Sequence, residues 1–197
     1  MVTAVIAAAG LSSRMGPVNK MLLAYRSSTV AAHTVRRILD AGLHEVIVVA
    51  GHEADEVSEA LAGLPVKVVV NEQYEKGLSS SLRAGVAAAD GNGYMLCLAD
   101  MVRIESGEYR QLAEAFEKQV QQDPRVICLP RYRGERGNPV IFSSFYRNEL
   151  LAQVEGEGFR SVVQRHRHHI FWVEMDTPHV LEDLDSPGDY ERLRQSD

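Results

Sequence analysis

The chain has 197 residues, of which 45% are hydrophobic and 24% charged, a balance typical of globular proteins rather than disordered ones. Its formal charge of −6 argues against a broad basic face for nucleic acid. No apolar run reaches the roughly 18 residues that cross a bilayer, and Cys97 and Cys128 lie in apolar stretches without a CxxC motif. We therefore expect a single cytoplasmic domain over residues 1–197, with no membrane or nucleic-acid partner.

Short apolar runs alternate with segments of helical periodicity through the first 120 residues. Strands are predicted at 2–9, 46–50, 66–70 and 94–99, and helices at 29–41, 54–61, 79–89 and 109–120. Continuous apolar strands between helices indicate a parallel sheet that is buried on both faces. The pattern predicts a doubly wound α/β fold, in which ligands bind beyond the carboxyl ends of the strands.

The remainder of the chain is less regular. Strands are predicted at 126–129, 139–142 and 170–174, with a loop at 131–138 and short helices at 144–154 and 159–166. A final helix opens with Ser186 as its N-cap and Pro187 at its first position.

The loop after the first strand, residues 8–20, is the segment richest in functional signals. Gly10 and its small neighbours let the backbone approach a ligand, and consecutive N–H groups can cradle an anion. Arg14 offers a planar fork that matches phosphate, and Lys20 adds a point charge. The loop is not a Walker A motif, because Met21 follows Lys20. It predicts a triphosphate site; the alternative is a plain strand-to-helix turn with two solvated cations.

This loop carries a family resemblance. Ala8-Ala9-Gly10-Leu11-Ser12-Ser13-Arg14-Met15-Gly16, followed by Asn19-Lys20, resembles the signature of nucleotidyltransferases of the molybdenum-cofactor group, and more narrowly of molybdenum cofactor cytidylyltransferases. The resemblance implies a Rossmann-like three-layer α/β/α fold with a mostly parallel mixed sheet, similar to the nucleotide-diphospho-sugar transferases. It also implies transfer of CMP from CTP to molybdopterin with Mg²⁺. On this basis Arg14 would contact the β- and γ-phosphates, Lys20 the α-phosphate, and the loop Ala8, Ala9, Gly10, Leu11, Ser12 and Ser13 would hold the nucleotide.

A second resembling segment follows the third strand. It contains Asn71, Gly77 and a run of three serines, Ser79, Ser80 and Ser81. The serines are predicted to cap the next helix, and their hydroxyls can also bind a base or ribose. In the cytidylyl branch an Asn…Gly…Ser-Ser-Leu pattern lines the nucleotide pocket, which favours CTP over GTP. A plain capped helix is the alternative.

Two carboxylates are predicted to hold Mg²⁺. Asp100 ends the fourth strand, where a carboxylate is well placed for catalysis and for a metal. Asp185 precedes the last helix, and Asp183 would point the same way in an extended backbone. The resembled family reads Gly-Asp-Met-Pro around Asp100, so Ala99 is expected to add a methyl group beside the nucleotide. Helix capping is the alternative role for these carboxylates.

The acceptor side is indicated by residues 134–142, which resemble the Gly-x-x-Gly-His-Pro-Val-Leu-Phe element of the family, with Asn138 in place of the histidine. Arg160 is a further candidate for an acceptor contact. The histidines at 166, 168 and 169 are interpreted as a solvated basic turn rather than a metal site.

These features together predict a CTP:molybdopterin cytidylyltransferase. A monomer is expected, in transient contact with a molybdenum hydroxylase or its chaperone. Two alternatives stay open. One uses GTP or UTP with another phosphorylated acceptor, such as a sugar 1-phosphate, and the other is a non-catalytic carrier of the cofactor.

Overall fold

The computed structural model describes residues 1–12, 15, 18–153 and 158–195. Its strands in chain order are β1 (Val2–Ala7), β2 (Ala24–Tyr25), β3 (Ser28–Thr29), β4 (Glu45–Ala50), β5 (Lys67–Val70), β6 (Gly93–Leu98), β7 (Ile127–Tyr132), β8 (Glu135–Arg136), β9 (Val140–Ser143) and β10 (Ile170–Glu174). Eight of them form one sheet in the order β10-β7-β9-β6-β1-β4-β5, with β8 paired to β7. The other two, β2 and β3, form a short antiparallel hairpin.

The sheet is mostly parallel, and its order reverses at β1. This strand pairs in parallel with β4 on one side and with β6 on the other. The chain builds β4 and β5 first and then crosses back to form β6, so the carboxyl ends of β1 and β6 flank a topological switch point. Strand β9 is antiparallel to both of its neighbours, which makes the sheet mixed. The predicted fold class is confirmed.

Helices cover both faces of this sheet. They are α1 (Val30–Asp40), α2 (Ala54–Ala60), α3 (Leu78–Ala88), α4 (Ser106–Gln119), α5 (Arg147–Leu151), α6 (Gly158–Arg165) and α7 (Pro187–Gln195). Alternate residues of β1 enter different cores: Ala4 and Ile6 pack with α1, α2 and α4, whereas Val5 and Ala7 pack with α3, α5 and α6. This two-sided burial explains why the strands are continuously apolar. No helix in the described ranges is long and apolar enough to span a bilayer.

One of the two predicted helix caps is present, and α1 begins at a further cap that was not among the predictions. Thr29 caps α1 by accepting a hydrogen bond from Ala32 N (3.2 Å), and Ser186 Oγ accepts from Asp189 N (3.2 Å) at the start of α7. The serine run does not cap α3, however. Gly77, with φ of 90°, occupies that N-cap position without a side-chain hydrogen bond, because the helix already begins at Leu78.

In the second half of the chain, the lengths of the strands and helices and the pairing of the strands differ from the prediction. The predicted loop at 131–138 is partly strand, since β7 runs on to Tyr132 and β8 pairs back onto it. Arg133 (φ 50°) and Gly134 (φ 87°) form the intervening turn. The predicted helix at 144–154 is a 3-10 turn, Ser144–Tyr146, followed by the short α5.

Helix α3 lies so close to the sheet that it leaves no room for a side chain at Gly85. A Cβ there would overlap Val5 Cγ1 and lie 2.9 Å from Val49 Cγ2. We predict that Gly85→Ala lowers the free energy of unfolding by about 1–3 kcal/mol, because overpacking outweighs the better helix propensity of alanine. Gly107→Ala in α4, where nothing lies within 4 Å, should instead raise it by about 0.5–1 kcal/mol. Urea denaturation measures both, and equal effects of the two substitutions would contradict the prediction.

Candidate nucleotide-binding site

A cavity of about 390 Å³ opens at the switch point, beyond the carboxyl ends of β1 and β6. Its volume lies within the usual range for small-molecule sites. Its walls come from the loop after β1, the 3-10 turn Tyr74–Lys76 with the start of α3, and the segment that precedes α7. The predicted site residues that line it are Ala9, Gly10, Leu11, Lys20, Gly77, Ser81, Asp100 and Asp185.

The ammonium group of Lys20 joins two carboxylates in the lining of the cavity. It donates hydrogen bonds to Asp100 Oδ2, to Asp185 Oδ1 (3.1 Å) and to the Leu184 carbonyl oxygen (3.0 Å), so all three of its protons have acceptors. Burial opposes the charge on Lys20, but the two carboxylates outweigh burial and raise its pKa. Lys20 is therefore a fixed cation, and it links the two predicted metal ligands.

The backbone around Lys20 is held by two polar side chains. Ser12 Oγ accepts a hydrogen bond from Lys20 N (3.0 Å). Asn19 is buried at 3% exposure, and its Oδ1 accepts from Met21 N (3.0 Å), which caps the 3-10 turn that begins at Lys20. Sequence reasoning placed Ser12 against the nucleotide and gave Asn19 no role of its own. The available signal for Asn19 is its place directly before Lys20 in the quoted motif.

Other predicted residues of the first loop divide into two groups. Ala8 is fully buried in the core and does not line the cavity. Gly10 lines it, and among the described residues beyond its chain neighbours no atom lies within 4 Å of the place where a Cβ would stand. Ser13 and Arg14 lie outside the described residues.

Asp100 has the features of a metal ligand. Its carboxylate is 9% exposed; Oδ2 accepts from Lys20, and Oδ1 is buried without a hydrogen-bond partner in the described part of the chain. An unsatisfied buried acceptor costs about 1–3 kcal/mol, and more when it is charged. A cation at this oxygen would remove that cost.

The alanine before Asp100 does not have the role expected of it. Ala99 is fully buried and packs in the core under α1 and α4, so its methyl group does not line the cavity. Val102, which stands where the resembled family has proline, is also buried; it packs with Tyr25 and Leu184 beside α7. At both positions where the chain departs from the family pattern, the side chain is buried in an apolar cluster.

The cavity is strongly acidic. Its described lining includes four carboxylates, Glu75, Asp100, Asp183 and Asp185, and one ammonium, so 1 − 4 gives a formal charge of −3. Burial and the charges of Asp185 and Asp100 raise the pKa of Asp183. A triphosphate would be repelled from such a surface unless a divalent cation came with it.

The donor set fits a hard divalent cation that keeps part of its coordination for other ligands. Within residues 1–12, 15, 18–153 and 158–195, no group of three His, Cys, Asp or Glu side chains could hold a metal ion. Two carboxylates, Asp100 and Asp185, meet at Lys20. Magnesium is commonly held by one or two carboxylates, with phosphate oxygens and water completing its octahedron.

The segment after β5 supports the cavity wall. Asn71 Nδ2 donates to Ser80 Oγ (2.9 Å) and Ser81 Oγ (3.0 Å), and all three residues are buried. Ser80 Oγ also bonds the carbonyl oxygens of Gln73 and Gly77. Of the predicted residues here, Gly77 and Ser81 line the cavity, Asn71 and Ser80 fix the loop behind it, and Ser79 faces a neighbouring groove.

The histidines near residue 166 pair individually with carboxylates. His166 Nε2 lies 2.8 Å from Glu149 Oε2, and His169 Nδ1 lies 2.7 Å from Asp123 Oδ2. His168 is exposed. Neither pair has a third His, Cys, Asp or Glu ligand among the described residues.

Comparison with known proteins identifies the family. Residues 4–183 match the sequence profile of the MobA-like NTP transferase domain. The chain belongs to this family of nucleotidyltransferases. It is 28% identical to the nicotine blue oxidoreductase of Paenarthrobacter nicotinovorans, over 98% of this chain and 96% of that protein. It is 26% identical to the molybdenum cofactor cytidylyltransferase of Escherichia coli K12, over 94% and 92% respectively.

Solved structures show the same fold over the full chain. A nucleotidyl transferase from Methanothermobacter superposes with a TM-score of 0.85 at 31% identity, covering 100% of this chain and 97% of that one. A Mycobacterium tuberculosis H37Rv protein, solved in complex with manganese, superposes with a TM-score of 0.78 at 30% identity, covering 100% and 99%.

The raised pKa of Asp183 provides a test of the electrostatics. We predict that Asp185→Asn lowers the pKa of Asp183, because removing a neighbouring negative charge favours ionisation. Carboxyl NMR titration measures the shift. Glu182→Gln is the matched control, since this adjacent carboxylate pairs with Arg103 instead and does not contribute to the shift. An unchanged Asp183 pKa in Asp185→Asn would show that the two carboxylates do not interact.

Proposed function

We propose that this protein transfers CMP from CTP to the terminal phosphate of molybdopterin and releases pyrophosphate, in a reaction that requires Mg²⁺. The observation that carries the proposal is the Lys20–Asp100–Asp185 cluster, in which Asp100 Oδ1 is buried at the switch point and has no hydrogen-bond partner among the described residues. Membership of the nucleotidyltransferase family supports it. The whole of residues 1–197 is proposed to act as one domain and as a monomer in the cytoplasm.

In the proposed reaction, an oxygen of the acceptor phosphate attacks the α-phosphorus of CTP. The new P–O bond forms as the bond to the β-phosphate oxygen breaks, and pyrophosphate leaves with that electron pair. No side chain of the protein becomes covalently attached, so catalysis rests on positioning and charge neutralisation. A divalent cation bound by Asp100 and Asp185 would supply positive charge beside the phosphates.

The residues of this chain have separate tasks in that step. Lys20 is held beside both carboxylates and would exchange one of its three hydrogen-bond acceptors for the α-phosphate. The backbone around Gly10 lines the cavity and cradles the phosphates, and Arg14 contacts the β- and γ-phosphates. Ser81 and Gly77, which line the opposite wall, lie where the nucleoside would be recognised.

The choice of CTP rests on two observations. The segment from Asn71 to Ser81 has the pattern of the cytidylyl branch, and its buried hydrogen bonds fix the wall of the cavity. The E. coli relative is itself named a cytidylyltransferase.

Nucleotide preference is tested by thermal stability with Mg²⁺ and each of CTP, GTP, UTP and ATP. A nucleotide present at about 100 times its dissociation constant adds about 2.7 kcal/mol to the stability of the native state. CTP should give the largest rise in Tm, and omitting Mg²⁺ should abolish it because the cavity is acidic. A larger rise with GTP or UTP would keep the enzyme class and change the base, whereas no rise with any nucleotide would favour the cofactor carrier.

Turnover is measured as pyrophosphate released from CTP in the presence of molybdopterin. Asp100→Asn should lower kcat on the order of a hundredfold, as expected for loss of a group that organises transition-state charge. Glu182→Gln is the matched control, because this carboxylate lies three residues before Asp185 and pairs with Arg103 instead; it should leave kcat unchanged. Because one relative is named an oxidoreductase, NADH oxidation is followed in parallel. Oxidation of NADH without pyrophosphate release would refute the proposal.

A further inference from the structure

The sheet ends at β10, which has a partner strand on one side only among the strands that the structure describes. We call its other side the free edge. The five residues of β10 include no proline or glycine, and their register with β7 is unbroken, so the edge has neither of these common protections against strand pairing. The one tryptophan of the chain, Trp172, lies at the middle of this strand and is 37% exposed.

One contact beyond the strand shows which backbone groups point to the free edge. Met175 N donates to a carbonyl oxygen of β7 (2.9 Å), so the backbone groups of Met175 face the sheet. Because these groups alternate in direction along a strand, those of Ile170, Trp172 and Glu174 face the free edge. The Glu174 carbonyl oxygen accepts a hydrogen bond from Gln111 Nε2 of α4 (3.1 Å), which agrees with this direction.

The free edge is self-complementary in an antiparallel arrangement. In a two-fold pair centred on Trp172, this residue faces its own copy and Ile170 faces Glu174, so all three outward-facing positions can exchange backbone hydrogen bonds. The exposed Arg167, which precedes one strand, then lies close to the exposed Asp176, which follows the other. A parallel pair would instead bring like charges together.

Helix α4 repeats this complementarity above the strand. A groove of about 260 Å³ separates α4 from β10, and Glu114, Lys118, Phe171 and Val173 are among its lining residues, so the middle of α4 lies over the middle of β10. A two-fold axis perpendicular to the sheet keeps both copies of α4 on the same face and makes them antiparallel. The exposed Glu114 of one copy then faces the exposed Lys118 of the other, and symmetry repeats the pair.

We propose that the free edge of β10 is an interface between two copies of this chain, which pair as antiparallel strands with α4 beside α4. Complementary charge supports a second copy as the partner, because Arg167 meets Asp176 and Glu114 meets Lys118 at the same two-fold axis. Strands β7 and β9 lie between β10 and β6, so the interface adds no residue to the nucleotide cavity. Each copy keeps a complete site, and the single chain remains the unit of the proposed reaction.

Sedimentation equilibrium of the full chain over a range of concentrations, without nucleotide or metal, measures the association. The mass should rise from that of one chain to that of two, and the emission of Trp172 should move to shorter wavelength as its ring is covered. Glu114→Lys and Lys118→Glu should each raise the dissociation constant about tenfold or more, because each creates two like-charge pairs. The double variant that carries both reversals should restore it.

Trp172→Lys should abolish association, because it places two ammonium groups at the axis. Val70→Lys is the matched control, since Val70 is 56% exposed on β5, the strand at the opposite edge of the sheet, and its substitution should change nothing. A chain that stays monomeric at every concentration overturns the proposal, as does a dimer that the single reversals leave intact or that the double reversal does not restore. Loss of association in Val70→Lys alone would place the contact at β5 and also overturn it. None of these outcomes bears on the transfer reaction, because no nucleotide is present.

Discussion

One ammonium group joins segments that are far apart along the chain. Lys20 Nζ bonds Asp100, 80 residues away, and Leu184 and Asp185, more than 160 residues away. These bonds tie the loop after β1 to the end of β6 and to the segment before α7. The same contact that closes the structure across the switch point also fixes the charges that a nucleotide would meet. The geometry of the site therefore depends on an ion pair that is only partly exposed to water and is screened little by salt.

The sheet provides the rigid frame for that ion pair. Strands β1 and β6 are neighbours in parallel, and both end at the cavity, so the loop after β1 and Asp100 leave adjacent strands on the same edge. Because both faces of these strands are packed by helices, a shift of either strand would disturb two cores at once. The packed strands therefore hold Asp100 in a fixed position relative to the loop after β1.

Much of the fold could be predicted from the sequence because its strongest signals are local. Continuous apolar runs predict β1, β4 and β6, and the predicted cap at Ser186 marks the start of α7. The two-residue strands could not be predicted from the sequence. Strand β8 has two residues, and it exists because the turn at Arg133 and Gly134 brings it back onto β7. Its pairing is a property of tertiary packing, which no periodicity of the chain encodes.

The sequence predicts which residues belong to the site, but it does not predict which of them contact one another. The motif identified Lys20, Asp100 and Asp185 separately, yet nothing local shows that the lysine would bond both carboxylates. The expectation for Ala99 is wrong for the same reason. Its position beside Asp100 predicts that its methyl group lines the nucleotide pocket, but side chains alternate along the chain and this methyl group packs in the core. Asn71 and Ser80 likewise bond each other behind the wall.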